Sequence, residues 1–215
     1  MVKYHRQKRR LIALFLVAIF ACLTSIVFSP SAKAKLFDGP VDNLPLEQRV
    51  SLRRGELVFL GQDGSYTSRL LLNTTVDDAW QVLTDYERFA EFLPGVISSE
   101  LIESKGDRKV FEQINKIETL VFSVESRVQV ATTENYPGQI AFEVVDGDLE
   151  SMDGTWSLEP VSPYPSAPPD QVLVTYKVMV EPAKAPSDGI FYSIYEDRLQ
   201  ETLRAIKTEA EKRTS

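Results

Sequence analysis

The side chains able to do nucleophilic or metal chemistry are scarce in this sequence, and their positions are informative. Its one His (His5) and one Cys (Cys22) both fall within the first 34 residues. Beyond residue 34 there is therefore no Cys nucleophile, no His general base, no Ser-His-Asp arrangement, no disulfide and no ordinary zinc or haem ligand set. What remains is carboxylates, Lys, Tyr, Ser and Thr. Asp146, Asp148, Glu150 and Asp153 invite a calcium reading. A calcium loop starting at Asp146 would need Gly at its sixth position and Glu at its twelfth, where the chain has Ser151 and Ser157. A turn with solvated acids is the reading kept, with no metal site. Asp77, Asp78, Glu87 and Glu91 fall on the outer face of a short helix, where charges are solvated and not catalytic. Tyr176 and Tyr195 are better polar groups, because a buried phenol needs a partner and can donate to a ketone or quinone oxygen or to the backbone.

Charge narrows the partners. The first 34 residues hold six basic residues and no acid, which leaves 18 basic against 31 acidic residues beyond them, a net of −13. Nucleic acid needs clustered positive charge, so it is excluded as a partner. Residues 1–34 combine a basic head, an uncharged apolar run from Leu11 to Phe28 and an Ala32-Lys33-Ala34 exit. They read as an export signal cleaved after Ala34, towards a periplasm or lumen. The alternative is retention of residues 11–28 as a membrane anchor.

The elements that must position the tyrosines follow from periodicity. Residues 35–55, with Gly39, Pro40 and Pro45 among charges, read as a linker, and 56–213 as the domain. Short strands are expected at Glu56–Leu60 and Tyr66–Leu72. Thr75 then caps a helix carrying Val76, Trp80 and Leu83, and Phe89–Leu93 form a second short turn stopped by Pro94-Gly95. Six strands with period two follow: Ile97–Glu103, Val110–Ile117, Phe122–Val130, Ile140–Val144, Met152–Leu158 and Val172–Val180. Their greasy and wet faces make the sheet antiparallel. Five prolines within 160–170 mark an exposed loop between the last two strands. The final helix, Asp188–Arg213, repeats Phe191, Tyr195, Leu199, Leu203, Ile206 and Ala210 along one stripe, and the greasy face of a curved sheet is the only large partner for it. The fold class is α+β.

Ala79-Trp80-Gln81-Val82-Leu83-Thr84-Asp85-Tyr86-Glu87 with Phe92-Leu93-Pro94, then Gly154-Thr155-Trp156-Ser157-Leu158 behind Asp146-Gly147-Asp148, and Tyr176-Lys177-Val178 with Leu203-Arg204-Ala205-Ile206 carry a family resemblance over roughly 66–208. The chain resembles the START-like (SRPBCC, helix-grip) superfamily, in its polyketide cyclase/dehydrase or coenzyme Q-binding branch, and looks most like cyanobacterial or plastid-type members. One departure is Ser151-Met152-Asp153, where the family often has an aromatic residue before the Gly-x-Trp. The resemblance implies a helix-grip fold, with the sheet wrapped around the C-terminal helix. It also implies an apolar cavity for a lipid, isoprenoid quinone or similar hydrophobic molecule. Walls expected from the sheet are Phe122, Val124, Phe142, Met152, Trp156 and Tyr176; those from the helices are Trp80, Phe92, Phe191, Ile194 and Tyr195. Trp80 and Trp156 would suit a packed core equally well. The expected activity is binding or carriage without catalysis or cofactor, by a monomer with transient membrane contact. A cyclase or dehydratase using Tyr176, Tyr195, Glu112 or Lys116 is the alternative, and a membrane-tethered interaction domain is another.

Overall fold

The computed structural model describes residues 38–118, 123–183 and 187–214. The expected export segment and Phe122 lie outside the described residues. Helix α1 (Leu46–Arg53) leads into strands β1 (Val58–Gln62) and β2 (Ser65–Leu72). Helix α2 (Val76–Leu83), a 3-10 turn at Tyr86–Arg88 and the single-turn α3 (Phe89–Phe92) follow. Then come β3 (Val96–Lys105), β4 (Arg108–Glu118), β5 (Ser123–Asn135), β6 (Gln139–Gly147), β7 (Leu149–Val161) and β8 (Gln171–Pro182), and last helix α4 (Asp188–Arg213). The eight strands form one antiparallel sheet in the order β1-β2-β8-β7-β6-β5-β4-β3. This curved sheet with a long helix against it is the helix-grip arrangement.

Alternation explains the layers. On β8, Val172, Val174, Tyr176, Val178 and Val180 face the main core, together with Leu70 and Leu72 of β2 and the buried Leu199, Leu203, Ile206 and Ala210 stripe of α4. The intervening residues, Leu71 and Leu173, point to the other face, which is covered as well. There they join Val41, Leu52, Val58 and Val161 in a second, smaller core. The segment read as a linker thus folds from residue 38 onward, and Leu52 of α1 is only 1% exposed. Periodicity missed it because an eight-residue helix among prolines and charges carries little pattern of its own.

Thr75 caps α2 as expected, its hydroxyl accepting from the Asp78 N–H at 3.1 Å. Two glycines serve close approach. Gly147 has φ +125°, and a Cβ there would stand 2.2 Å from the Arg127 carbonyl, beside the β5 bulge at Gln129/Val130. A Cβ on Gly154 would meet the Lys177 carbonyl at 2.1 Å and the Phe142 ring at 2.5 Å. Glycine at 154 therefore lets the Phe142 ring lie flat against the sheet, stacked on Tyr176 at 5.5 Å.

Candidate functional site

Between the concave face of the sheet and α4 lies a cavity of about 730 Å³. Strands β4 to β8 supply the floor, α4 the roof, and Leu83, Tyr86, Phe89 and the Leu93-Pro94-Gly95 turn one end. A shallower depression of about 440 Å³ lies between α1 and β1–β2, lined by Gln48, Thr67 and Arg69 among others. It is a surface feature, and the deeper space between sheet and helix is the candidate site.

Of the expected walls, Val124, Phe142, Met152, Trp156, Tyr176, Phe191, Ile194 and Tyr195 all border this space. Two do not. Trp80 is buried in the core with its ring edge-on to Tyr136 at 5.3 Å. Leu83, one helical turn further on, is the α2 residue that reaches the cavity. Phe92 turns away because Phe89 and Leu93 take the inward positions of the single-turn helix. It packs edge-on to Phe89 at 5.8 Å, beneath the Arg213 guanidinium at 5.6 Å. Arg213 in turn forms ion pairs with Asp85 and Glu209, both at 2.8 Å, and so ties the end of α4 to this turn.

Sequence reasoning also passed over several wall residues. Phe111, Gln113 and Asn115 of β4 face inward, as do Ser126, Val128 and Val130 of β5. The β5 set was within reach, since it shares the alternation of Val124. The β4 set was not, because Val110, Phe111, Ile114 and Ile117 are apolar on both faces and only pairing with β5 decides which face is inner.

The polar groups at this site are neutral or already engaged. The Tyr86 hydroxyl donates to Glu134 Oε1 at 2.8 Å and shares a 3.1 Å hydrogen bond with the Thr132 hydroxyl. Burial, reinforced by Glu134, pushes its pKa far above the tyrosine range. Tyr195 lies against Met152, its hydroxyl 4.0 Å from the sulfur, and pairs with Tyr176. Burial is the largest cause of the rise in both phenols. Tyr66 stacks on Tyr195 at 5.7 Å and donates to Glu196 at 3.0 Å, and burial takes its pKa to about 12. These phenols stay protonated at physiological pH and act as hydrogen-bond donors, not bases.

The lining, among the described residues, includes no Asp, Glu, His or Cys. Glu112, considered for catalysis, lies on the opposite face of β4 from Phe111 and Gln113. Hydrogen bonds from Gln129 at 3.0 Å and Arg127 at 2.6 Å hold its carboxyl below the usual range. Asp146 is likewise lowered by Arg127 at 2.9 Å, and Asp148 accepts from the Arg127 N–H at 2.8 Å. Asp146 and Asp148 thus tie the turn between β6 and β7 to Arg127 of β5. Lys116 does border the cavity, as does Arg198, which pairs with Glu201 at 2.8 Å.

Residues 72–207 match the family described as polyketide cyclase/dehydrase and lipid transport. The chain belongs to that family. No curated protein matches its sequence. Among solved structures it is similar to a STAR-related lipid transfer protein fragment from Xanthomonas axonopodis, with 18% identity and TM-score 0.55 over 72% of this chain and 92% of the other. It is also similar to the Zhui aromatase/cyclase from Streptomyces sp. R1128, with 15% identity and TM-score 0.55 over 74% and 97% of the two chains. At such identities the likeness is one of fold. For a polyketide cyclase/dehydrase and lipid transport family member, a cavity with a mostly apolar lining suits a hydrophobic ligand.

Proposed function

We propose that this protein binds and carries one hydrophobic small molecule, a lipid, isoprenoid quinone or similar compound, without transforming it. The observation that carries the reading is the lining: a cavity of about 730 Å³ walled mostly by apolar and aromatic residues, with protonated phenols, a few neutral polar side chains, Lys116 and Arg198, and with no carboxylate or imidazole in that lining among the described residues. Cavities that enclose small ligands run ~300–1,000 Å³. A ligand burying roughly 300 Å² of apolar surface gains ~7 kcal/mol at about 25 cal/mol per Å², before the cost of immobilisation.

The test is direct. The protein is purified from its own source without detergent, denatured and extracted, and the extract is identified by mass spectrometry. One hydrophobic species near one per chain is expected. An empty extract, repeated after lipids and quinones are offered, would refute carriage and favour transient binding of a substrate by an enzyme of the same fold. We further propose that the chain is exported and loses residues 1–34, so N-terminal sequencing of the native protein should begin at Lys35. A native chain that still carries the apolar run would instead be anchored by it.

A further inference from the structure

We infer that the cavity selects an uncharged polar head group that both donates and accepts hydrogen bonds, and that Gln113, Asn115 and Ser126 recognise it. The inference rests on the ligand-carrying reading above and assigns the polar part of that ligand. Three inward positions on paired strands break the apolar pattern of the floor. Gln113 and Asn115 are two residues apart on β4, hence on one face, and Asn115 sits directly opposite Ser126 of β5. All three line the cavity, with the Phe111–Val130 pair at one end of the patch, Val124 at the other and Val128 opposite Gln113. Thr132, further along β5, is already bonded to Tyr86.

Their hydrogen-bonding capacity is only partly used within the protein. Gln113 Nε2 donates to Asn115 Oδ1 at 2.7 Å, which orients both amides. That leaves Gln113 Oε1 as an acceptor, Asn115 Nδ2 as a donor, and the Ser126 hydroxyl able to do either. A half-buried group of this kind is expensive to cover with hydrocarbon and inexpensive to cover with a matching head. The patch carries no charge. Lys116 and Arg198 border the same space, but Arg198 is paired with Glu201 and Lys116 is not free. A hydroxyl- or amide-headed lipid satisfies both the acceptor and the donors. A fatty carboxylate leaves Gln113 Oε1 facing a negative charge, an ammonium head leaves Asn115 Nδ2 facing a positive one, and a quinone accepts only.

The experiment compares four probes on the delipidated full chain: monooleoylglycerol, oleate, oleylamine and decylubiquinone. Each competes against a fluorescent hydrocarbon probe, for the wild type and for Gln113→Leu/Asn115→Leu. Monooleoylglycerol is expected to bind the wild type at least about tenfold more tightly than each of the others, the ratio one unmatched buried hydrogen-bonding group imposes. In the double variant this preference should fall to about twofold or less while affinity for the hydrocarbon probe is kept. Equal or better wild-type binding of oleate, oleylamine or decylubiquinone overturns the inference. So does a preference that survives in the variant. Should the variant fail to fold, the wild-type ranking alone decides. A wild type that binds no probe, the hydrocarbon included, would instead fail the carrier reading beneath it.

Discussion

Replacing Val128 by Phe is expected to stabilise the ligand-free protein while weakening its hold on ligand. Val128 lies on β5 opposite Gln113, is 7% exposed and borders the cavity. In a filled core the four additional carbons would have to displace neighbours, and such overpacking costs ~1–3 kcal/mol. Here they project into about 730 Å³ of free space. They need the volume of roughly two water molecules, ~60 Å³. Strand propensity changes little, because Val and Phe are both good strand formers. Fully burying a large apolar side chain is worth ~1.5–3 kcal/mol, so the increment over Val should be about 1–2 kcal/mol of added stability. For a domain of this size each kcal/mol moves Tm by ~2–4 °C, which sets the expected rise at about 2–8 °C. The assay is thermal unfolding followed by circular dichroism on delipidated protein, with displacement of a fluorescent hydrocarbon probe measured in parallel. Probe affinity should drop at least about tenfold, since the ring occupies ligand space. A fall in Tm of several degrees with cooperative unfolding retained would refute the reasoning, because it would mean that the protein's own side chains already fill the site.

Two further outcomes are expected. Leu52→Ala should cost ~2–5 kcal/mol, the range for emptying a buried leucine site, because Leu52 is 1% exposed in the core between α1 and the outer sheet face. A loss under about 0.5 kcal/mol in urea unfolding, the size typical of surface substitutions, would return residues 38–55 to the status of linker. Tyr66, Tyr86, Tyr176 and Tyr195 have folded-state pKa values raised above the ordinary 10.0, chiefly by burial. A raised pKa of this kind contributes stability that is complete below pH 10 and is lost as pH climbs through the folded value, about 12 for Tyr66. Tyrosinate absorbance should therefore rise in two stages, the second coinciding with unfolding. If all the tyrosines ionise together near pH 10 with the native circular dichroism intact, the phenols are not buried as described.

Much of the architecture was legible in the residues because it rests on local periodicity. The Phe191, Tyr195, Leu199, Leu203, Ile206 stripe recurs at helical spacing, and α4 runs from Asp188 to Arg213 as that spacing requires. Val172 to Val180 alternates, and β8 follows. The absence of His and Cys beyond residue 34, and with it a narrow chemistry, needs no fold at all. Strand ends were less legible: β5 extends to Asn135 and β7 begins at Leu149, since pairing with neighbours carries strands past the point where the apolar alternation stops.

The site was only half visible, and for a different reason. Alternation says that Val124, Ser126, Val128 and Val130 share a face, but not what that face meets. That Trp80 packs against Tyr136 while Leu83 reaches the cavity depends on where α2 crosses the sheet end. That Gln113 and Asn115 point inward depends on β4 pairing with β5 in the register that sets Asn115 opposite Ser126. Residue order determined the elements, their amphipathic faces and the chemistry they lack, since these follow from spacing along one strand or helix. Only the tertiary structure decided that sheet and helix stand apart by a ligand's width and that neutral amides and phenols line the gap, because a cavity is set by how far separate elements approach each other.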